Sequence, residues 1–293
     1  MDRFDWIEMD QGPPDPRGVQ PTGTGLRDGQ AAPPRRPPQD AGSFFEAARS
    51  MRRAGHFGAA AKYYERAIGF DDHHYGALVE LTYTLVRAGR IDVADQVSRA
   101  ALDAYRQVRI LYAARALALA HRGDIAPALN HVQVALDEGR PWYALCVRAE
   151  TLLRADLGNR TESLQLLEEA ADKATVRWDM HFVAGWMLLD AGWPTLAAGH
   201  FSEAAHYAPD AAASWLCLGD CFHELKLHDQ ALFYYEKAAE IDPTHEIALR
   251  RRRECTPFLY GLTRVFHRDS LRRRWNRAFD ELRSEWHPTT DDW

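Results

Sequence analysis

The chain has 293 residues, of which 46% are hydrophobic and 27% charged, a composition that excludes a wholly disordered or a collagen-like protein. Lys and Arg number 36 against 42 Asp and Glu, so the formal net charge of -6 excludes a molecule that binds nucleic acid or an anionic membrane over its whole surface. The sequence contains no run of 18 uncharged apolar residues, and the stretch from Met180 to Leu189 ends at Asp190, so a membrane span is not expected.

The chain begins with MDRFDWIEMD, which is charged throughout and contains no apolar core, so it does not resemble a secretory signal. The cysteines are too few for a disulfide framework and form no CxxC pair. They are Cys146, Cys217, Cys221 and Cys255. We therefore expect a cytoplasmic protein without disulfides.

Residues 1–40 form a Pro/Gly-rich arm that holds eight of the 15 prolines. Such a segment buries too little apolar surface to offset its ordering entropy, so we expect it to be disordered. Its first residues differ, because acidic and large apolar side chains alternate over residues 2–10. The apolar members of this acidic-aromatic motif are Phe4, Trp6, Ile7 and Met9.

Residues 41–245 repeat at a fixed period. Gly55, Gly89 and Gly123 are spaced 34 residues apart, and so are Gly158 and Gly192. Apolar residues recur at helical spacing on both sides of each glycine, and small alanines recur five and twelve residues after most of them. The pattern predicts helix-turn-helix units, with helices of about 14 residues whose small residues allow close crossing. A single hairpin cannot bury its apolar face, so the units must stack.

Residues 212–245 give this repeat a family resemblance. The segment contains the spacing Trp215-x2-Leu218-Gly219-x2-Phe222, followed by Ala231, Tyr235, Ala238 and Pro243. This pattern resembles the tetratricopeptide repeat almost position for position. The resemblance implies an all-α, right-handed α-solenoid of about six such repeats. The predicted units are 41–74, 75–108, 109–142, 143–177, 178–211 and 212–245.

The first four units depart from the family pattern. Thr82 and Glu150 replace the small residue that normally faces the partner helix, and the fourth unit carries one extra residue near Leu157–Gly158. Residues 246–293 are expected to form an Arg-rich helical cap, with a solvating helix from Ile247 to Glu254. Two further helices are predicted at 258–267 and 270–286.

The resemblance also implies a function, because the first helix of each repeat in that family lines a concave groove that binds peptides or proteins. Carried onto this chain, the groove positions are basic in the N-terminal half and aromatic-acidic in the C-terminal half. They are Phe45, Arg49, Arg52, Arg53, Tyr83, Arg87, Arg154, Phe182, Trp186, Asp190, Asp220, His223 and Glu224. Guanidinium groups pair with carboxylates, so an acidic partner with an apolar anchor would suit the first half.

The acidic-aromatic motif has the opposite charge to the basic half of this groove. It is expected to dock a separate partner or to plug the groove of its own chain, and an inert tail is the simpler alternative. No HExxH, P-loop, GxSxG or GxGxxG motif is present, so we expect neither an enzyme nor a cofactor. Cys217, Cys221, His223 and His228 resemble a zinc set, but Cys221 occupies a buried repeat position, so a structural role is the stronger interpretation.

The alternative function is association with nucleic acid through the Arg-rich C-terminal helices. Ten arginines stand between Arg250 and Arg277, and arginines interleaved with aromatic rings can contact phosphates and unpaired bases. The stripe is represented by Arg250, Arg251, Arg264, Arg268, Arg272, Arg273 and Trp275. The favoured interpretation is nevertheless a non-catalytic adaptor that binds another polypeptide.

Overall fold

A computed structural model describes residues 40–137, 139–155 and 160–255. The acidic-aromatic motif, the extra residue near Leu157–Gly158 and the two helices predicted after Pro257 lie outside these residues. Within them, all regular structure is α-helical. The helices are α1 (Ala41–Ala54), α2 (Phe57–Phe70), α3 (Tyr75–Arg87), α4 (Ile91–Ala104), α5 (Ile110–Arg122), α6 (Ile125–Leu136), α7 (Trp142–Arg154), α8 (Arg160–Lys173), α9 (Arg177–Asp190), α10 (Pro194–Tyr207), α11 (Ala212–Glu224), α12 (His228–Ile241) and α13 (Glu246–Glu254).

The predicted fold class, an all-α array of helix-turn-helix repeats, is confirmed. The described chain divides into two compact units. The first unit runs to Arg52 and from His56 to Ala135, and the second comprises residues 53–55 and the described residues from Leu136 onward. None of the helices in the described ranges is long and apolar enough to cross a bilayer.

A left-handed backbone conformation marks the turn within most hairpins. Gly55, Gly89, Gly123 and Gly192 have φ between 75° and 92°, a region that glycine enters without steric cost. The sixth hairpin departs from this rule, because Lys226 occupies the corresponding position with φ 63°. A side chain in this region costs roughly 1–2 kcal/mol, so this turn is strained relative to the others.

Glycine has a different role where two helices cross. A Cβ on Gly185 in α9 would lie 2.8 Å from the ring of Phe201 in α10. A Cβ on Gly219 in α11 would lie 2.4 Å from the ring of Tyr235 in α12. Because Phe201 and Tyr235 are themselves fully buried, neither ring can move away freely. The predicted need for small residues at the crossing is therefore met most tightly in these two hairpins.

We expect Gly219→Ala to lower the free energy of unfolding by about 1–3 kcal/mol, because the added methyl group overpacks a closed contact. Gly69→Ala in α2 is the control, since nothing lies within 4 Å of its added Cβ. That change should leave the protein at least as stable as the wild type, because alanine favours a helix more than glycine does. Chemical denaturation followed by circular dichroism measures both, and equal effects of the two substitutions would contradict the crossing argument.

Candidate interaction surfaces on the first helices

Glu80 in α3 organises the predicted basic surface of the first unit. Its carboxylate lies 3.2 Å from the guanidinium of Arg52 and 3.6 Å from that of Arg49, and it accepts a 2.5 Å hydrogen bond from the hydroxyl of Tyr64. Arg52 is only 3% exposed, so its charge is neutralised inside the structure. Of the two α1 arginines that Glu80 contacts, Arg49 retains more exposed surface, 20% of its side chain.

The remaining residues of this surface form stacked pairs of arginine and aromatic ring. The guanidinium carbon of Arg49 lies 5.6 Å from the ring centre of Phe45, and that of Arg87 lies 5.0 Å from the ring centre of Tyr83. Tyr83 is buried, whereas Phe45 and Arg87 are half-buried. The rings hold the arginine stems in place, and part of each arginine residue stays accessible. Arg53, at the end of α1, is also half-buried.

Asp95 in α4 joins the second and third hairpins. Its carboxylate accepts hydrogen bonds of 2.6 Å from Arg115 and 2.8 Å from Arg122, both in α5, and of 2.7 Å from Arg99 in its own helix. Burial raises the pKa of Asp95, but the hydrogen bonds from Arg122 and Arg115 outweigh it, so the pKa lies below its ordinary value. The cluster fixes α5 against α4 by charge as well as by apolar packing.

Aromatic rings pack beneath the predicted surface of the second unit. Phe182 is fully buried, stacked 4.6 Å from Trp178 and edge-on to Phe201 at 5.7 Å. Trp178 also donates a 2.9 Å hydrogen bond from its indole nitrogen to Ser214 in α11. Trp186, half-buried and edge-on to Phe201, is the predicted aromatic residue that retains exposed surface.

Charged residues of the second unit continue this surface. Arg154 at the end of α7 lies 3.4 Å from the buried carboxylate of Glu150 and 3.3 Å from the exposed Asp190 at the end of α9. The predicted departure at Glu150 is therefore accommodated by an ion pair. The predicted residues Arg154 and Asp190 meet each other, which links the ends of two successive first helices.

Asp220 in α11 is turned toward α12 and α13. It accepts a 2.8 Å hydrogen bond from the hydroxyl of Tyr235 and lies 3.4 Å from the guanidinium of Arg251. Burial raises the pKa of Asp220, and the hydrogen bond from Tyr235 and the charge of Arg251 act against this rise. His223 is half-buried, as Asp220 is, whereas Glu224 is exposed.

Only part of the predicted basic stripe lies within the described residues. Arg250 is 3.8 Å and Arg251 3.4 Å from Glu254 at the end of the same helix. Arg264, Arg268, Arg272, Arg273 and Trp275 lie outside the described residues. The binding role of every predicted surface and motif residue stays a prediction.

The sequence interpretation missed the carboxylates of Glu80 and Asp95. The pairing of Asp95 with Arg99 was visible as an i, i+4 spacing. The longer-range pairs leave no local signal, because Asp95 is 20 residues from Arg115 and Glu80 is 28 from Arg52 in the sequence.

Residues 212–245 match the model of the tetratricopeptide repeat family. The resemblance predicted for this segment is thereby confirmed, with the same bounds. No curated protein matches the chain.

Similar solved structures include a TPR protein, YrrB, described as having an unusual peptide-binding site. It is 18% identical, with a TM-score of 0.38 over 66% of this chain and 99% of that one. PilW, a type IV pilus biogenesis factor, is 15% identical, with a TM-score of 0.43 over 72% and 97% of the two chains. A chain of the APC/C hetero-tetramer Cut9-Hcn1 is 11% identical, with a TM-score of 0.44 over 74% of this chain and 43% of that one. These similarities concern the helical-repeat fold and do not transfer a binding site.

We expect Asp95→Asn to lower the free energy of unfolding by about 3–5 kcal/mol, because it leaves the buried guanidinium of Arg115 without its anion. Asp103→Asn, which removes an exposed pair with Arg106 at 3.8 Å, is the control and should change stability by less than about 0.5 kcal/mol.

The same variant tests a pH dependence of stability. The pKa of Asp95 in the folded protein is below its unfolded value of about 3.9, so the carboxylate stabilises the fold above that pH, and this stabilisation is lost as the pH falls through the folded pKa. Wild-type stability should thus fall more steeply below about pH 4 than that of Asp95→Asn. Parallel slopes in denaturation series at different pH would contradict the proposed role of the Asp95 carboxylate.

Proposed function

We propose that the protein is a non-catalytic scaffold or adaptor that binds a partner peptide or protein through the first helices of its repeats. The observation that carries this proposal is the pair of stacked arginines on α1 and α3. Arg49 and Arg87 are each held against an aromatic ring and each retains accessible surface.

Such arginines are suited to binding because their side chains are already ordered. Immobilising a free, rotamer-rich side chain costs roughly 0.5–1.5 kcal/mol on association, and stacking removes part of that cost beforehand. The planar guanidinium then offers forked hydrogen bonds to a carboxylate. The complementary partner is an acidic segment with an apolar anchor.

The second unit supplies a different surface for the same kind of partner. Trp186 offers an indole ring that is partly exposed and supported by Phe201 from behind. Residues of this type contribute most of the binding energy at many protein interfaces. Asp190 and Glu224 are exposed near the ends of their helices and add acidic charge, so this surface favours a less acidic part of a partner.

The acidic-aromatic motif at residues 2–10 has the chemistry that the surface on α1 and α3 would bind. The disorder expected from the sequence between the motif and α1 would give these roughly 30 residues a span on the order of 30 Å, enough for the motif to reach the surface of its own chain. We propose that the motif either docks a separate partner or plugs this surface. The described part of the Arg-rich stripe does not favour nucleic acid instead, since Arg251 is engaged by Asp220 and Glu254.

The test is a titration of a fluorescent peptide of residues 1–12 into a chain that lacks those residues. We expect binding that weakens as salt rises, and that falls about tenfold when Arg49→Glu or Arg87→Glu reverses one stacked charge. The matched control is Arg106→Glu, because Arg106 is 78% exposed and stacks on no aromatic ring of the described part of the chain. A peptide with Asp and Glu changed to Asn and Gln should bind weakly.

The full-length chain separates the two roles of the motif. Weaker binding of the peptide to the full chain than to the truncated one indicates a plug, because the tethered copy competes. The plug is overturned if the peptide binds neither chain. The scaffold proposal fails if an array of acidic peptides with one aromatic anchor also shows no binding, or if Arg106→Glu weakens binding as much as Arg49→Glu and Arg87→Glu.

A further inference from the structure

Three metal-ligating side chains converge at one end of the sixth hairpin. His223 is in the last turn of α11, His228 is the first residue of α12, and Cys255 follows the last residue of α13. One ligand atom from each residue lies within 4.8 Å of the other two. We propose that these residues form a Zn²⁺ site with three protein ligands, of which His223 is also a predicted groove position.

The distance between the sulfur and the first imidazole fits this ion. The Sγ of Cys255 is 3.6 Å from the Nδ1 of His223. A tetrahedral Zn²⁺ with bonds of about 2.3 Å to sulfur and about 2.0–2.1 Å to nitrogen holds two such ligands about 3.6 Å apart. The rings of His223 and His228 have centres 5.3 Å apart and are inclined by 66°, so they do not stack and each can direct a nitrogen toward a shared point.

The backbone fixes all three positions. The amide of Leu227 donates to the carbonyl of Phe222 at 2.9 Å, and this closes the turn that separates the two histidines. The amide of Cys255 donates to the carbonyl of Arg251 at 3.1 Å, which holds the cysteine at the end of α13. The strained Lys226 lies within the histidine turn, and strain of this kind is concentrated at functional sites.

Burial across the site is graded. Cys255 is 7% exposed, His223 is half-buried and His228 is exposed. The sulfur therefore lies on the inner side, and the site opens to solvent beside His228. This leaves the fourth coordination position to water, as in zinc sites with three protein ligands. The thiol proton of Cys255 is released to solvent when the metal–sulfur bond forms.

The guanidinium of Arg251, on the helix that ends beside Cys255, is already paired with carboxylates. It lies 3.4 Å from both Asp220 and Glu254. Glu224 adds a further exposed carboxylate next to His223. This set differs from the four residues considered from the sequence, because Cys217 and Cys221 are 2% and 0% exposed, and Cys255 takes their place.

Cobalt titration of tag-free, chelator-treated protein tests the site. We expect one Co²⁺ per chain, with a sulfur-to-metal charge-transfer band, and displacement by one equivalent of Zn²⁺. Cys255→Ser should abolish the band, and His228→Asn should weaken Zn²⁺ binding by more than about 100-fold, beyond the loss typical of outer-shell changes. His206→Asn, an exposed histidine of the same unit, and Cys217→Ala are the controls and should keep the wild-type affinity.

Folding is checked without metal, because His228 is exposed and its replacement should leave the helical circular dichroism unchanged. Zn²⁺ should also raise the melting temperature of the wild type and of both controls, but not of the two site variants. The proposal is overturned if no stoichiometric binding occurs. It is equally overturned if binding gives no thiolate band, or if the control substitutions weaken binding as much as the site substitutions. In those cases the contact between Cys255 and His223 is a hydrogen bond alone.

Discussion

The structure depends on how closely the two helices of each hairpin approach. The crossing position of the first helix is buried in every hairpin of the described chain. In chain order it is occupied by Ala48, Thr82, Ala116, Glu150, Gly185 and Gly219. The residue sixteen positions later, on the second helix, is Tyr64, Ser98, Val132, Leu166, Phe201 or Tyr235. Glycine is matched with a large ring and threonine with serine, so the sizes compensate across most hairpins and the core keeps its density.

Buried ion pairs add a second kind of contact, between successive hairpins of the first unit. Glu80 lies between the first and second hairpins, and Asp95 between the second and third. Each carboxylate pairs with a guanidinium group that is itself largely buried. Removing either partner would leave an uncompensated buried charge. In the second unit, Trp178 packs on Phe182 and donates a hydrogen bond to Ser214. The buried Glu150 of that unit is paired with Arg154, so ring contacts and ion pairs act together there as well.

The sequence predicted the helices well because their signal is periodic and local. Glycine spacing located four turns whose left-handed φ angles follow from that residue. It could not predict Lys226 in the same conformation, because a lysine has no preference for it. Nor could the sequence predict which of the arginines assigned to the groove are buried. Arg49 and Arg52 are three residues apart on one helix, yet Arg52 lies almost wholly inside because Glu80 accepts it there. The cluster of His223, His228 and Cys255 was equally out of reach, since it forms only when α13 packs against α12.

The contact of Glu80 with Arg49 has a consequence for recognition. A carboxylate arriving at Arg49 meets a guanidinium whose charge is already shared with an internal carboxylate at 3.6 Å. Association then becomes an exchange of one anion for another, in which the net number of ion pairs barely changes. A ligand with a single acidic group would gain little from such a swap. The surface would instead select ligands whose several acidic groups contact several guanidinium groups at once. The number of simultaneous contacts would then decide which ligand binds more tightly.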